Sequence, residues 1–362
     1  MKNLVLHVRV SERHGYIMTK LRLGRTDINT NVVAFGALPI QRVSADYAVM
    51  LLNKAYEAGV TFYDTARSYS DSEEKIGLAF GQAFEKNREN IFIATKTPAA
   101  TGEDLARDLE TSLQLLKTDY IDIYQYHNPA TAPRPGDKSG LYEAMLDAKK
   151  AGKIRHIGIT NHSVKCATEA VLSGLYDSLQ FPFSYLATQA EIDLVHLCRE
   201  LDVGFIAMKA LSGGLITRAD AAYAYLAGHD NVLPIWGVQR LEELDELLSF
   251  IDKPPAMSDE IAAHIEKDRA ALSGDFCRGC AYCMPCPVDI QINNAARMRQ
   301  LIRRSPTTFW LGEGGQAMMN KIDDCIDCRQ CAEKCPYNLD TPELLRQSLA
   351  DYRAILSGDI SV

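Results

Sequence analysis

Eight short apolar runs, each followed by a helical stretch, fill roughly the first 250 residues, and this alternation constrains the fold more than any other feature of the chain. The runs are Val32–Gly36, Thr61–Thr65, Ile91–Lys96, Ile121–His127, His156–Asn161, Ser178–Phe181, Gly204–Lys209 and Val232–Gly237. They are nearly all apolar, as strands buried on both faces must be. Between them lie helical segments such as Ser44–Ala58 and Gly102–Leu115. The first places Tyr47, Leu51, Leu52, Ala55 and Ala58 on one stripe, the pattern of a helix covering a sheet. Eight such units in about 220 residues predict a closed (β/α)8 barrel. The alternative is an open doubly wound sheet, which wants a Gly-rich dinucleotide turn after its first strand. Here that turn reads "GALPIQ".

A barrel places its functional groups at the C-terminal ends of its strands. Asp64 stands at the end of the second run, with Tyr69 in the loop beyond. Lys96 ends the third, His127 the fourth and Asn161 the fifth. Gln180 lies in the sixth, and Lys209 ends the seventh. Each alone has an ordinary structural explanation, such as a helix cap, a satisfied histidine or a solvated lysine. Together on consecutive strands, Asp64, Lys96 and His127 face one pocket, with Tyr69 over it. A free tyrosine titrates near 10. A neighbouring ammonium favours the phenolate, a carboxylate keeps that ammonium charged, and a histidine can donate to a substrate oxygen. Such a group suits protonation of an alkoxide as hydride reaches a carbonyl carbon.

The stretches "GVTFYDTARSYSDSEEKIG", "IFIATK", "DYIDIYQYHNP" and "IRHIGITN", with the opening "LRLGRTDINTNVVAFG", resemble the aldo-keto reductases from about Met18 to Phe250. The resemblance implies a (β/α)8 barrel closed below by a β-hairpin, and a catalytic tetrad falling on Asp64, Tyr69, Lys96 and His127. It implies NADPH or NADH held across the barrel mouth. Asn161 and Gln180 would take the carboxamide, and the "MKALSGG" segment with Lys209 and Gly213 would lie near the pyrophosphate. Gly237, Gln239 and Arg240 would lie toward the adenosine. The chain departs from the family there: Glu243 stands where an arginine is expected, and a carboxylate repels a 2′-phosphate. The segment Gly213–Val232 is also short for a pyrophosphate clamp. The ordinary explanation of "LEELDELLSF" is an acidic helix on the rim.

Two prolines in "DKPPAMSDE" end the barrel near Ile251, and Ser258 caps a following helix predicted to reach Leu272. Eight of the chain's ten cysteines then fall in two runs: Cys277, Cys280, Cys283, Cys286 before Pro287, and Cys325, Cys328, Cys331, Cys335 before Pro336. The spacing fits [4Fe–4S] ligation, with zinc the alternative. In two-cluster ferredoxins the fourth cysteine of each run serves the other cluster. This gives Cys277, Cys280, Cys283 and Cys335 for one cluster, and Cys325, Cys328, Cys331 and Cys286 for the second. The shortened step from Cys283 to Cys286 departs from that pattern and leaves a single cluster open. Cys166 and Cys198 read as buried small residues. The segments "IQINNAARMRQLIRR" and "TPELLRQSLADYRAIL" read as helices, the second capped by Thr341. The tail thereby resembles the mostly helical dicluster ferredoxin-like domain that a subset of aldo-keto reductases carries.

The expected division is an extension or misassigned start over 1–17, a barrel over 18–251 and an iron–sulfur domain over 258–362. A net charge of −8 argues against nucleic acid or an anionic membrane as partner, and no run of about 18 apolar residues spans a bilayer. The N-terminus makes a poor signal peptide, so a cytoplasmic setting is expected. Three functions fit: a carbonyl reductase or alcohol dehydrogenase acting on a small molecule, an electron-transfer protein whose barrel docks or senses a redox protein, and a non-enzymatic assembly protein stapled by its clusters.

Overall fold

The computed structural model describes residues 12, 13, 16, 17, 20–272, 276–304 and 307–360. Most of the expected extension over 1–17 lies outside them. Within it β1 (Glu12–Arg13) pairs antiparallel with β2 (Tyr16–Ile17). The chain divides into two compact units. One holds the described residues up to Ala210 together with Ala222–Met257, and the other holds Leu211–Ala221 together with the described residues from Ser258 onward.

In the first unit β3 (Lys20–Arg22) and β4 (Asn29–Asn31) form an antiparallel hairpin. Eight parallel strands then close into a barrel in chain order: β5 (Ala34–Gly36), β6 (Phe62–Asp64), β7 (Phe92–Thr97), β8 (Ile121–His127), β9 (Ile154–Thr160), β10 (Ser178–Pro182), β11 (Gly204–Met208) and β12 (Val232–Gly237). Pairing of Ile235, Trp236 and Gly237 with Ala34, Phe35 and Gly36 completes the ring. The open-sheet alternative is therefore out. The first strand begins at Ala34 rather than Val32, because the Asn31 side chain takes the Val33 N–H in a turn. The fifth begins two residues early, at Ile154.

The hairpin has a packing task. Leu21, Leu23 and Ile28 share one buried cluster with Phe62, Ala94, Ile123, Ile206 and Leu233 from the barrel strands. Its turn runs so close to β11 that a Cβ on Gly24 would lie 2.1 Å from the Gly204 nitrogen, and Gly24 has a φ of +52°. Only glycine meets both conditions. The helix Ala45–Glu57 follows Ser44, whose hydroxyl accepts from the Tyr47 N–H, and buries Ala48, Leu51, Leu52 and Ala55. Among the described residues no helix is long and apolar enough to cross a membrane.

The second unit is helical. Ser258 caps Asp259–Ala271, accepting from the Ile261 N–H. The expected single helix between the cysteine runs is broken into Ile292–Ala295 and Met298–Arg304, and sequence reasoning missed Thr307–Leu311 and Glu313–Asn320. The last helix, Thr341–Ser357, is capped by Asp340, which accepts from the Glu343 N–H; Thr341, expected as the cap, is its first residue. Asp340 has the carboxylate that takes that N–H, while the Thr341 hydroxyl turns back to the Leu339 carbonyl. A core of Ile290, Ile292, Met298, Ile302, Met319, Leu345, Leu349 and Tyr352 holds these helices, and five of the cysteines pack against it.

Candidate active site and thiol-lined sites

Strand periodicity builds the barrel site in layers. Phe62, Ala94 and Ile123 point into the lower interior. Two residues further along each strand, the same face presents Asp64, Lys96 and Gln125. The Lys96 ammonium donates to both Asp64 oxygens (2.8 and 2.7 Å) and to the Thr65 carbonyl (2.6 Å). Gln180 on β10 donates to Asp64 at 3.4 Å and accepts from Gln125 at 2.9 Å. Four polar side chains thus run across the interior, each no more than 2% exposed. Gln125 was missed by the sequence reading. Its signal is that it lies two residues before His127, on the same inward face of β8.

Burial pushes the Asp64 carboxyl up and the Lys96 ammonium down, each opposed by the other's charge. The pair is an ion pair held where water does not screen it. Tyr69 stands above it: Lys96 Nζ is 5.1 Å from the Tyr69 ring centre, and His127 meets that ring edge-on at 5.8 Å. Burial, then the Lys96 charge, lowers the His127 pKa to about 3. Its imidazole is neutral at ordinary pH and can donate one hydrogen bond. The structure therefore brings Asp64, Tyr69, Lys96 and His127 together.

The residues expected around the dinucleotide are placed less uniformly. Asn161 is buried, donates to the Pro129 carbonyl (3.0 Å) and accepts from the Ser163 N–H (2.7 Å). Lys209 follows β11 with a left-handed φ of 58°. His162, also missed, is buried, and its pKa falls through burial, then through the charges of Lys209 and His127. Gly237 ends β12, and beyond it Glu243 accepts from the Gln239 and Arg240 N–H groups (3.0 and 3.2 Å) and pairs with the Arg240 guanidinium at 2.8 Å. Glu243 thus caps the helix Leu241–Asp252. Gly213 belongs to the second unit.

The fold is that of solved aldo-keto reductases. A structure from Bacillus halodurans in its holo form matches with a TM-score of 0.61 over 71% of this chain and 98% of its own, at 21% identity, a level that speaks for the fold alone. The aldo/keto reductase family model matches residues 32–221. The chain belongs to the aldo/keto reductase family. Among its relatives are the uncharacterized oxidoreductase YrpG of Bacillus subtilis, 30% identical over 54% of this chain and 67% of that protein, and the NADH-specific methylglyoxal reductase of Escherichia coli, 26% identical over 60% and 75%. This aldo-keto reductase is an oxidoreductase, and it carries a second matched module, a 4Fe-4S dicluster domain over residues 276–340.

The cysteines of that module line two small, partly open voids. Cys277, Cys280, Cys283 and Cys335 line the first, and Cys286, Cys325, Cys328 and Cys331, with Cys283 again, line the second. Among the described residues no three His, Cys, Asp or Glu side chains close on one point as a single zinc ion needs. Thiols gathered in this way are the ligand type that a 4Fe-4S dicluster domain uses. Burial raises the Cys277 and Cys331 pKa values and brings Cys283 to about 12. A cationic iron–sulfide core supplies the charge that lets such thiols ionise. Cys166 and Cys198 are buried in the barrel unit, as expected.

Proposed function

We propose that this aldo-keto reductase transfers a hydride between a nicotinamide and a small carbonyl or alcohol, with Tyr69 as general acid and base. The convergence of Asp64, Lys96, Tyr69 and His127 carries this reading. When bound, the nicotinamide supplies or accepts the hydride. In the reducing direction Tyr69 gives its phenolic proton to the substrate oxygen. The Lys96 ammonium stabilises the phenolate left behind, and Asp64 holds that ammonium in place and charged. His127, kept neutral by burial, donates a hydrogen bond to the same oxygen and orients it. Asn161, Gln180, Lys209, Gly237, Gln239 and Arg240 line the course of the dinucleotide. Because Glu243 already occupies the Arg240 guanidinium, NADH is preferred over NADPH.

In the tail, Cys277, Cys280, Cys283 and Cys335 hold one [4Fe–4S] cluster, and Cys286, Cys325, Cys328 and Cys331 the second. The cysteine linings of the two voids support this crossed assignment. The clusters supply one-electron storage, and an external redox protein in the cytoplasm is their exchange partner.

The test is turnover of anaerobically purified, cluster-loaded protein with NADH and a series of small aldehydes, 2-oxoaldehydes first. Steady nicotinamide oxidation that Tyr69→Phe abolishes is expected. Full turnover in that variant overturns the assignment of Tyr69. Nicotinamide without carbonyl should leave the cluster absorbance unbleached, because a hydride carries two electrons and each cluster takes one. Bleaching would favour an electron-transfer role instead.

A further inference from the structure

Arg297 is an unusual place for a charge. It is only 9% exposed. Its Nε donates to the Asn293 carbonyl (3.0 Å) and its Nη1 to the Gly213 carbonyl (3.1 Å). Two glycine backbones enclose the guanidinium. A Cβ on Gly279 would lie 2.6 Å from Cζ, and one on Gly213 would lie 3.0 Å from Nη1. Both glycines have left-handed φ values, +64° and +65°, so a side chain at either would be strained as well as crowded. Gly279 sits between Cys277 and Cys280, and its N–H donates to Cys277 Sγ at 3.3 Å. Burial pushes the Arg297 pKa down, and the neighbouring Cys277 and Cys280 sulfurs oppose that push. A buried cation needs a counter-charge, and cluster-bound thiolates on the turn that Gly279 shares with Cys277 and Cys280 would supply it.

We propose that Arg297 is the built-in counter-ion of the Cys277, Cys280, Cys283 and Cys335 site, clamping its first turn to the Gly213 loop and raising its reduction potential. This rests on the reading that those four thiolates hold one cluster. Such a cluster takes one electron from an external one-electron donor, which is oxidised by one. No bond or proton changes hands, and the site becomes one charge more negative. A cation held close by in a dry, low-dielectric setting stabilises that state more than the oxidised one. Among the described residues, the cations near the second site are exposed. Lys321 and Arg329, the cations near Cys286 and Cys331, have side chains 43% and 50% exposed and pair with Asp324 and Asp340. Solvent and those carboxylates screen them.

The experiment is an anaerobic dithionite titration of the full-length, cluster-loaded protein, followed by EPR, with iron counted in parallel. Wild type, Arg297→Gln and Arg297→Lys are compared. The wild type should hold about eight irons and show two one-electron waves. Arg297→Gln should lower one wave by about tenfold in its reduction equilibrium, ~59 mV for one electron, and leave the other in place. Arg297→Lys, which keeps the charge, should keep most of that potential. Unmoved waves in Arg297→Gln at full iron content overturn the proposal. So do equal shifts in the Gln and Lys variants, because the effect would then be packing and not charge. If Arg297→Gln loses iron, Arg297→Met takes its place and is read against Arg297→Lys by the same criteria. A wild-type count near four irons would instead sink the two-cluster reading beneath it.

Discussion

The barrel site and the thiol sites differ in what holds their side chains. Asp64, Lys96, Gln125 and Gln180 sit on paired strands, where the ladder fixes both position and direction; Lys96, for example, lies in register with Gln125. The cysteines sit on loops and turns, apart from Cys331 in the short helix Gln330–Glu333. Ala281, Asp289, Asp327, Arg329 and Asn338, all within or beside the two runs, have φ between 52° and 65°. Each such non-glycine residue costs roughly 1–2 kcal/mol. Strands hold their groups in place without a ligand. The turns need something to offset their strain, and a cluster bonded to several thiolates is suited to do so. The core of the barrel site is thus held by its strand ladder, whereas the thiol sites are held by loops and a short helix packed on the tail's own core.

Four changes break or sharpen this contrast. The largest effect is expected from Tyr69→Phe, which should lower kcat by about 10²–10⁴-fold, the usual worth of a general acid, while iron content and tail structure stay unchanged. Parallel assays of turnover and iron measure both halves, and a joint loss would blur the distinction. Next comes oxidative removal of the clusters with a chelator. The tail should lose amide protection along Met298–Arg304 and Thr341–Ser357, with the barrel strands still protected in hydrogen exchange. A barrel that opens together with the tail would refute independent organisation.

Third is acid. His127 titrates near 3 and His162 well below its usual value in the folded barrel, against about 6.5 unfolded. The unfolded chain therefore binds more protons below 6.5. Barrel stability should be fully present above that pH and fall as pH drops beneath it, by up to about 1.4 kcal/mol per pH unit for each histidine. Urea midpoints between pH 7 and 5 read the slope, and His162→Gln should flatten it. The smallest effect is expected from Glu243→Gln. Freed of its partner, Arg240 should lower the KM for NADPH several-fold and change that for NADH little. An equal change in both would remove Glu243 as a determinant of cofactor choice.

Much of this was legible in the residues. Short, nearly all-apolar runs with polar residues at their ends located Asp64, Lys96 and His127, because a parallel barrel exposes only its C-terminal strand ends to substrate. Gln125 was hidden, since one polar residue inside "IDIYQYH" looks like an interruption until its inward face is known. Helix boundaries in the tail were misread around Ala296 and at Asp340. Short helices packed on a thiol cage depend less on periodicity than on where the cysteines must meet. Glu243 was noticed as a missing cation, but its work as a helix cap depends on backbone geometry.

By itself the sequence determined the barrel, the polar residues Asp64, Lys96 and His127 at its strand ends and the two thiol runs, because these follow from periodicity and spacing along the chain. Tertiary structure alone decided that Gln125 and Gln180 bridge to the Asp64–Lys96 pair and that Arg297 is enclosed between Gly213 and Gly279, while its two voids group the cysteines as the ferredoxin pattern does. The Gln125–Gln180 and Gly213–Arg297 contacts join residues 55 and 84 apart along the chain. No local pattern encodes a meeting at such separation; only the closing of the ring and the folding of the tail bring it about.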